Sequence, residues 1–418
     1  MTRLLVVAYA YPPMPSVGAN RWLAMAKYLR RGGDEVTLVT TKAFGRLRDD
    51  DQDSVVRVPD LTANPRVRRL LRRPVLAPGM EAETRNEPAP DLMTRVLVPD
   101  PWVLAWAPAA VPVVRRLLRS GRFDCLVTSS PYESVHLVGL AARGQTPWLA
   151  DFRDGWTFEP HRPPFYTGAQ TRLDRLLERR VLHAVDGVLA ATAPIAEDFR
   201  ARFDVRVCHV PNAWDPDLDG AVTRACPPAR DPEKVNLVYT GKLSGPWGRN
   251  PWPFFEALKQ LQREEPETSE RLKLMIAGRL DVEEDRRIRD LELDGLVEHV
   301  GHLTRAEATA LQRSADVLVL ITSRNVSEAT GKIAEYVNAG RPILALAENN
   351  EAARIVTETR TGVTVAPDDV PRIVAALRSA AARELDRAFA PRRTDTYRYP
   401  GPALLVREEA RTAAMTSS

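Results

Sequence analysis

Short apolar runs alternate with amphipathic stretches along almost the whole chain, and they do so in two successive series. The first series predicts strands at 4–9, 35–41, 55–58, 95–98, 125–129, 148–152, 187–191 and 205–210. Helical periodicity lies between them, at 21–30, 111–118, 135–142 and 173–183. A Pro- and Asp-rich stretch with little apolar content then runs from Trp214 to Pro232 and reads as a linker. The rhythm restarts with strands predicted at 235–240, 272–277, 298–300, 317–321, 343–346 and 363–365. Apolar runs this short and this continuous suit strands covered on both faces, as in parallel sheets flanked by helices. Two such sheets in sequence predict an α/β protein of two doubly wound domains facing across a cleft. Ligands in that arrangement sit at the carboxyl ends of the strands.

Composition narrows the picture further. At 418 residues and 44% hydrophobic, the chain can bury two sizeable cores. A net charge of +4 is too slight for a dedicated nucleic-acid binder, so no nucleic-acid partner is expected. Cys125, Cys208 and Cys226 are odd in number and widely spaced, which argues against a disulfide framework or a zinc site. The chain enters an apolar strand at Leu4 without a cleavable leader, and no window reaches the length of a membrane span. A cytoplasmic location is the expectation.

The most informative stretch runs from Ala329 through Gly331, Lys332 and Glu335 to Gly340-Arg-Pro342, then Ile343-Leu-Ala-Leu346. It reads as a helix opening at Gly331, a stop at Gly340, and a buried strand. Lys332 in the first turn opposes the helix macrodipole unless an anion sits there. Glu335, one turn on, can accept two hydrogen bonds from a vicinal diol such as ribose. Phosphate at the helix start and ribose one turn later describe a nucleotide; two solvated charges on an amphipathic helix are the plainer reading. Near the other end of the chain, Gly18 would let a loop pass close to a ligand, and Arg21 is a second helix-start cation.

Several segments, in this order, carry a resemblance to a known family. They are Tyr11-Pro-Pro-Met-Pro-Ser-Val-Gly-Ala-Asn-Arg21, Val98-Pro-Asp-Pro-Trp102, Ser129-Ser-Pro-Tyr-Glu-Ser-Val-His136, Asp151-Phe-Arg-Asp-Gly-Trp156, Val210-Pro-Asn-Ala213, Tyr239-Thr-Gly-Lys-Leu243, and the 331–346 stretch. Together they resemble the retaining glycosyltransferases of the GT-B fold, family 4 type. The resemblance implies an acceptor domain at 1–213, a linker at 214–232, a nucleotide-sugar domain at 233–385, and a C-terminal segment at 386–418 that returns to the first domain. It implies a nucleotide-diphosphate sugar donor (UDP- or GDP-sugar), no tightly bound cofactor and no metal. The acceptor would be a saccharide, a lipid-linked sugar or a small metabolite.

The same resemblance distributes roles. Gly241, Lys242, Arg249, Gly331, Lys332 and Glu335 would hold the nucleotide and its diphosphate, with Gly18 and Arg21 facing the donor from the first domain. Many relatives carry two glutamates eight positions apart; here Glu328 and Glu335 are seven apart, and Ser327 stands at the first position. Glu328 could reach the sugar from a shifted turn. Asp151, Arg153 and Asp154 follow a strand end where relatives carry a sugar-contacting histidine, with Asp154 the first choice for a hydroxyl contact. His136, Trp156 and Tyr166 are candidate acceptor or sugar contacts, His136 being as well suited to a structural place and Trp156 to loop packing. Asp49-Asp50-Asp51 and Asp215-Pro-Asp217 imitate a metal-binding Asp-x-Asp but lack strand context. Arg66-Val-Arg-Arg-Leu-Leu-Arg-Arg73 could dock peripherally at the inner face of a membrane, clamp an anionic acceptor, or simply be solvated. The competing readings are a retaining sugar transferase of cell-envelope or secondary-metabolite biosynthesis, a non-catalytic nucleotide-sugar binder, and a hexosamine epimerase of the same fold.

Overall fold

A computed structural model describes residues 1–14, 18–45, 54–60, 96–159, 164–244 and 248–416. The chain forms two compact units, one of Met1–Asn212 with Tyr399–Ser418 and one of Ala213–Arg398.

The first unit is built on a parallel sheet of β1 (Arg3–Ala8), β2 (Glu35–Thr41), β3 (Val55–Val58), β4 (Cys125–Ser129), β5 (Trp148–Phe152), β6 (Gly187–Ala190) and β7 (Val207–His209). Their spatial order is β3-β2-β1-β4-β5-β6-β7, so the chain reverses direction between β1 and β4. β4 and β5 have no exposed position, which is why apolar residues follow one another without alternation at Cys125–Val127 and Trp148–Ala150, the polar Thr128, Ser129 and Asp151 falling towards the carboxyl ends. Trp106, Trp148, Trp156, Phe152 and Phe199 fill one face of the sheet, each contributing about 1.5–3 kcal/mol through burial. The helix Gly401–Thr416 belongs to this unit. It lies against the helix Ala19–Arg31, with Tyr399 stacked on Tyr28 at 5.1 Å and Arg206 paired to Glu409 at 3.0 Å.

One expected strand is absent. Residues 96–98 form none, although the apolar run suggested it. Val96 is 60% exposed and only Val98 is buried. The proline at position 99 has no N–H to offer a ladder.

The second unit repeats the plan with β8 (Val235–Thr240), β9 (Leu272–Ala277), β10 (Val297–Gly301), β11 (Val317–Ile321), β12 (Ile343–Leu346) and β13 (Gly362–Val365). The order is β10-β9-β8-β11-β12-β13, all parallel, with the reversal between β8 and β11. Leu237 and Tyr239 of β8 enter one core while Val238 enters the other, so helices cover both faces. The helix Lys332–Ala339 opens at Gly331 and ends on Gly340 at φ 72°, a left-handed backbone that glycine adopts without strain.

Candidate functional site

Each unit gathers polar groups at its own reversal point. That is where an open parallel sheet leaves a crevice beyond the carboxyl ends of its strands.

In the second unit, β8 ends at Thr240 and the chain turns through Gly241 at φ +92°. A Cβ at Gly241 would lie 3.0 Å from Cε of Lys332, so glycine lets the lysine lie across the strand end. The Lys332 ammonium donates to the Tyr239 hydroxyl at 2.7 Å and lies 4.0 Å from the ring centroid. Tyr239, itself buried, donates to the Lys242 carbonyl at 2.6 Å. Arg249 reaches the same carbonyl through Nη1 at 3.2 Å and pairs with Glu328 through Nη2 at 2.9 Å. Its Nε is buried with no acceptor among the described residues, and so is the hydroxyl of Thr330, next to the helix start.

These charges tune one another. Burial pushes the Lys332 ammonium well below its ordinary pKa and Arg249 adds to the fall, against the pull of Glu335 and Glu328. Burial also works against the Arg249 guanidinium, but Tyr239 and Glu328 outweigh it and its pKa rises. Glu328 further accepts the Ser323 amide at 2.6 Å and the Ser323 hydroxyl. Glu335 accepts from Arg305 at 3.2 Å and from Gln312 at 3.3 Å. Lys242 is exposed and contributes its carbonyl to the cluster. Seven expected residues thus come together: Gly241, Lys242, Arg249, Glu328, Gly331, Lys332 and Glu335. Tyr239, Ser323, Thr330, Arg305 and Gln312 were not foreseen. Tyr239 sits at a strand position that periodicity assigns to the core, and only its lysine partner reveals the second role.

In the first unit the geometry reassigns several residues. Arg21 does not face an open anion site. Its side chain is 2% exposed, with Nη2 2.9 Å and Nε 3.2 Å from the Asp151 carboxylate and further bonds to Asn212 and the Val210 carbonyl. Asp151 also accepts from Trp22 at 2.8 Å and Ser129 at 2.7 Å, which spends its carboxylate. The two charges lock the helix after β1 to the ends of β4, β5 and β7, so a catalytic Asp151 and an anion-binding Arg21 both give way to a positioning pair. His136 is also sealed in. Its Nδ1 lies 2.8 Å from Thr128 Oγ1 and its ring 4.3 Å from that of Phe152, and burial lowers its pKa to about 3. Trp156 is buried too, bonded to Asp174 at 2.9 Å, so it packs the core instead of presenting a face to sugar.

A Cβ at Gly18 would meet Arg153 Nη1 at 2.2 Å, so the glycine leaves room for that side chain. That nitrogen is buried with no acceptor among the described residues. The Arg153 amide bonds Ser130 at 3.2 Å, and Asp154 lies 3.4 Å from Nη2. Tyr166 is 57% exposed. Asp215 caps a short turn by accepting the Asp217 amide at 3.1 Å, which accounts for one Asp-x-Asp imitation. Asp49–Asp51 and Arg66–Arg73 lie outside the described residues. Among those described, no three His, Cys, Asp or Glu side chains group to hold a metal, and no helix is long and apolar enough to cross a membrane.

Two parallel sheets, each with helices on both faces and a polar cluster at its reversal point, define a protein of two Rossmann-like halves. Family comparison then assigns it. Residues 18–213 match the Glycosyl transferase 4-like domain and residues 234–383 match the Glycosyl transferases group 1 domain, and the chain belongs to the group 1 glycosyltransferases of GT-B fold. Among solved structures, sucrose-phosphate synthase from Thermosynechococcus elongatus superposes with a TM-score of 0.61 at 17% identity, over 100% of both chains. The alpha,alpha-trehalose 6-phosphate synthase from Burkholderia multivorans gives 0.60 at 15%, also over 100% of both. The lipopolysaccharide outer core galactosyltransferase WaaB gives 0.59 at 12%, over 98% of this chain and 99% of its own. At such identities the likeness concerns the fold. No curated protein matches the chain by sequence.

Proposed function

We propose that the chain transfers a sugar from a nucleotide-diphosphate sugar to an acceptor hydroxyl, with retention at the anomeric carbon and without a metal. The observation that carries this reading is the second unit's cluster. A depressed lysine ammonium, a half-buried arginine whose buried Nε is unused, and the Thr330 hydroxyl meet at a helix start. Such a group of donors suits a diphosphate. Lys332, Arg249 and Lys242 hold the diphosphate charge, and Glu335, released from Arg305 and Gln312, takes the ribose hydroxyls. Glu328 steadies Arg249 and is the carboxylate nearest the transferring sugar. In the first unit, Arg153 and Asp154 take sugar or acceptor hydroxyls, with Tyr166 at the acceptor.

In the reaction, the bond from the anomeric carbon to the diphosphate oxygen breaks and the acceptor oxygen bonds that carbon on the same face. The acceptor's proton passes to the departing phosphate oxygen. The cations act by stabilising charge that grows on that oxygen, an effect that needs preorganised donors more than it needs an added base. The donor is a UDP- or GDP-sugar. The acceptor belongs to bacterial envelope polysaccharide, glycolipid or secondary metabolism, in the cytoplasm or at the inner face of the membrane.

The test is nucleoside-diphosphate release from a panel of UDP- and GDP-sugars with saccharide and lipid-linked acceptors. Acceptor-dependent release with a retained anomeric proton signal is expected. Tight nucleotide binding with no release, or interconversion of epimers without release, would replace the transferase reading with a binder or an epimerase.

A further inference from the structure

The first unit holds a cavity of about 580 Å³ that plays no part in the site above. It is lined by Arg115, Arg119 and Arg143 over an apolar floor that includes Leu118, Phe123 and Pro147. Phe123 and Pro147 stand just before β4 and β5, whereas Ser129 and Asp151 lie at the carboxyl ends of those strands and Ser130, Arg153 and Asp154 just beyond them. The cavity therefore opens at the amino ends of the strands, the opposite edge of the sheet from the polar cluster. Its volume falls in the range of small-molecule sites.

The charge around it is one-sided. No Asp or Glu occurs between Asp100 and Asp124, while Arg115, Arg116, Arg119 and Arg122 all fall within that stretch. Two of the lining guanidinium groups are held in place. Arg115 donates to the Ala141 carbonyl at 2.6 Å. Arg143 bonds the Ala184 carbonyl, approaches Asp186 at 3.4 Å and sits 5.9 Å from the Trp148 ring centroid. Among the described residues neither Arg115 nor Arg119 has an acidic partner. Carbonyl capping explains the presence of Arg115 and Arg143, since cations suit helix ends. Arg119 stands in the last turn of its own helix, Ala107–Arg119, where a cation is equally suited, so what helix ends leave unexplained is the convergence of three guanidinium groups on one apolar-floored cavity.

We infer that this cavity is a second anion site, for a phosphate-type oxyanion, separate from the donor cluster. Guanidinium forks already pinned by carbonyls lose little freedom on gripping such a group, and each retains N–H donors for it. The oxyanion can arrive free in solution or as the headgroup of an anionic lipid, and the test separates the two. Calorimetric titration with inorganic pyrophosphate is run on the full chain, on Arg115→Gln/Arg119→Gln and on Lys332→Ala. Co-sedimentation with phosphatidylglycerol vesicles is run on the same three proteins, whose folding is checked by circular dichroism. Both arginines are exposed, so the double variant should fold.

The expected result is a pyrophosphate site, or vesicle binding, weakened at least tenfold by Arg115→Gln/Arg119→Gln and untouched by Lys332→Ala. Loss of the soluble site assigns a free phosphate; loss of vesicle binding alone assigns a headgroup. Arg119→Lys should restore part of either. If every bound pyrophosphate disappears with Lys332→Ala, and vesicles hold the double variant as well as the parent, the inference fails while the donor reading survives. A single site lost only in the double variant does the reverse.

Discussion

Lys332 shows most sharply how one residue is held at a cost to the fold. Burial, with Arg249 adding its own charge, keeps its ammonium well below the ordinary lysine value. The unfolded chain therefore binds more protons than the folded chain between that depressed value and about 10.4. Stability should rise with pH across that window, and below it the penalty is carried in full. Lys332→Met removes the charge and keeps a polarisable side chain against the Tyr239 ring. The variant should melt higher than the parent near neutral pH, lose the rise of stability with pH, and bind nucleoside diphosphate at least tenfold more weakly. In the parent, affinity for the diphosphate should fall as pH climbs through the depressed value, because the anion needs the ammonium. Thermal melts and titrations at several pH values check this; a variant that melts lower and binds as well contradicts it.

Glu335 makes the companion case. Its carboxylate engages Arg305 and Gln312, donors that a ribose would displace. Charge-assisted hydrogen bonds contribute roughly 1.5–3 kcal/mol each. Glu335→Gln should therefore weaken a nucleoside diphosphate about tenfold or more. It should leave a 2′,3′-dideoxy nucleotide bound as the parent binds it. Glu328→Gln should leave nucleoside-diphosphate affinity nearly unchanged and act only with the intact sugar donor. A silent Glu335→Gln beside a crippled Glu328→Gln would show the two roles exchanged.

At the scale of elements, the first unit depends on a contact that spans 130 positions of sequence. Arg21 stands near the start of one helix and Asp151 near the carboxyl end of a distant strand, and each looked like a ligand for something outside the fold. Nothing local reveals that they neutralise each other, because strand pairing and helix packing bring them together only in three dimensions. The same holds for His136 and Trp156, residue types that suit a sugar site and a core equally. The helix at Lys332 was legible for the opposite reason: its start, its stop and its charge lie within ten residues. The strand expected at 95–98 shows the limit of apolar runs, since a proline follows it and, of the described residues 96–98, only Val98 is buried. The pair carries a prediction. Breaking a buried ion pair on one side leaves a charge uncompensated and costs about 3–5 kcal/mol. Asp151→Asn should lower the unfolding free energy of the first unit by that order, read from its denaturation curve. Replacing both partners, as Arg21→Met/Asp151→Leu, should cost less than the sum of the single changes. Additive losses in a double-mutant cycle would mean that the two side chains do not act as a pair.

For the whole molecule, doubly wound sheets were readable because apolar runs and helical stretches alternate along nearly the entire chain, and the family resemblance rested on several segments in order. What stayed hidden was which polar residues each reversal point would spend internally. That accounting bears on metal dependence. A diphosphate leaving group brings negative charge that something must neutralise, and enzymes use either a divalent cation or fixed cationic side chains for this. Here the cations at the second unit's reversal point are Lys332, Arg249 and Lys242, with a helix start beside them. Glu328 takes part of the Arg249 charge, but the Arg249 Nε–H and the Thr330 hydroxyl remain to donate to a phosphate oxygen. Turnover should therefore survive excess EDTA with little change, and added Mg²⁺ or Mn²⁺ should not raise it severalfold. Lys332→Ala sharpens the comparison, because a protein stripped of one fixed cation should gain more from Mg²⁺ than the parent does. Complete loss of the parent's turnover in EDTA, restored by either metal, would show that a bound cation and not these side chains carries the leaving-group charge.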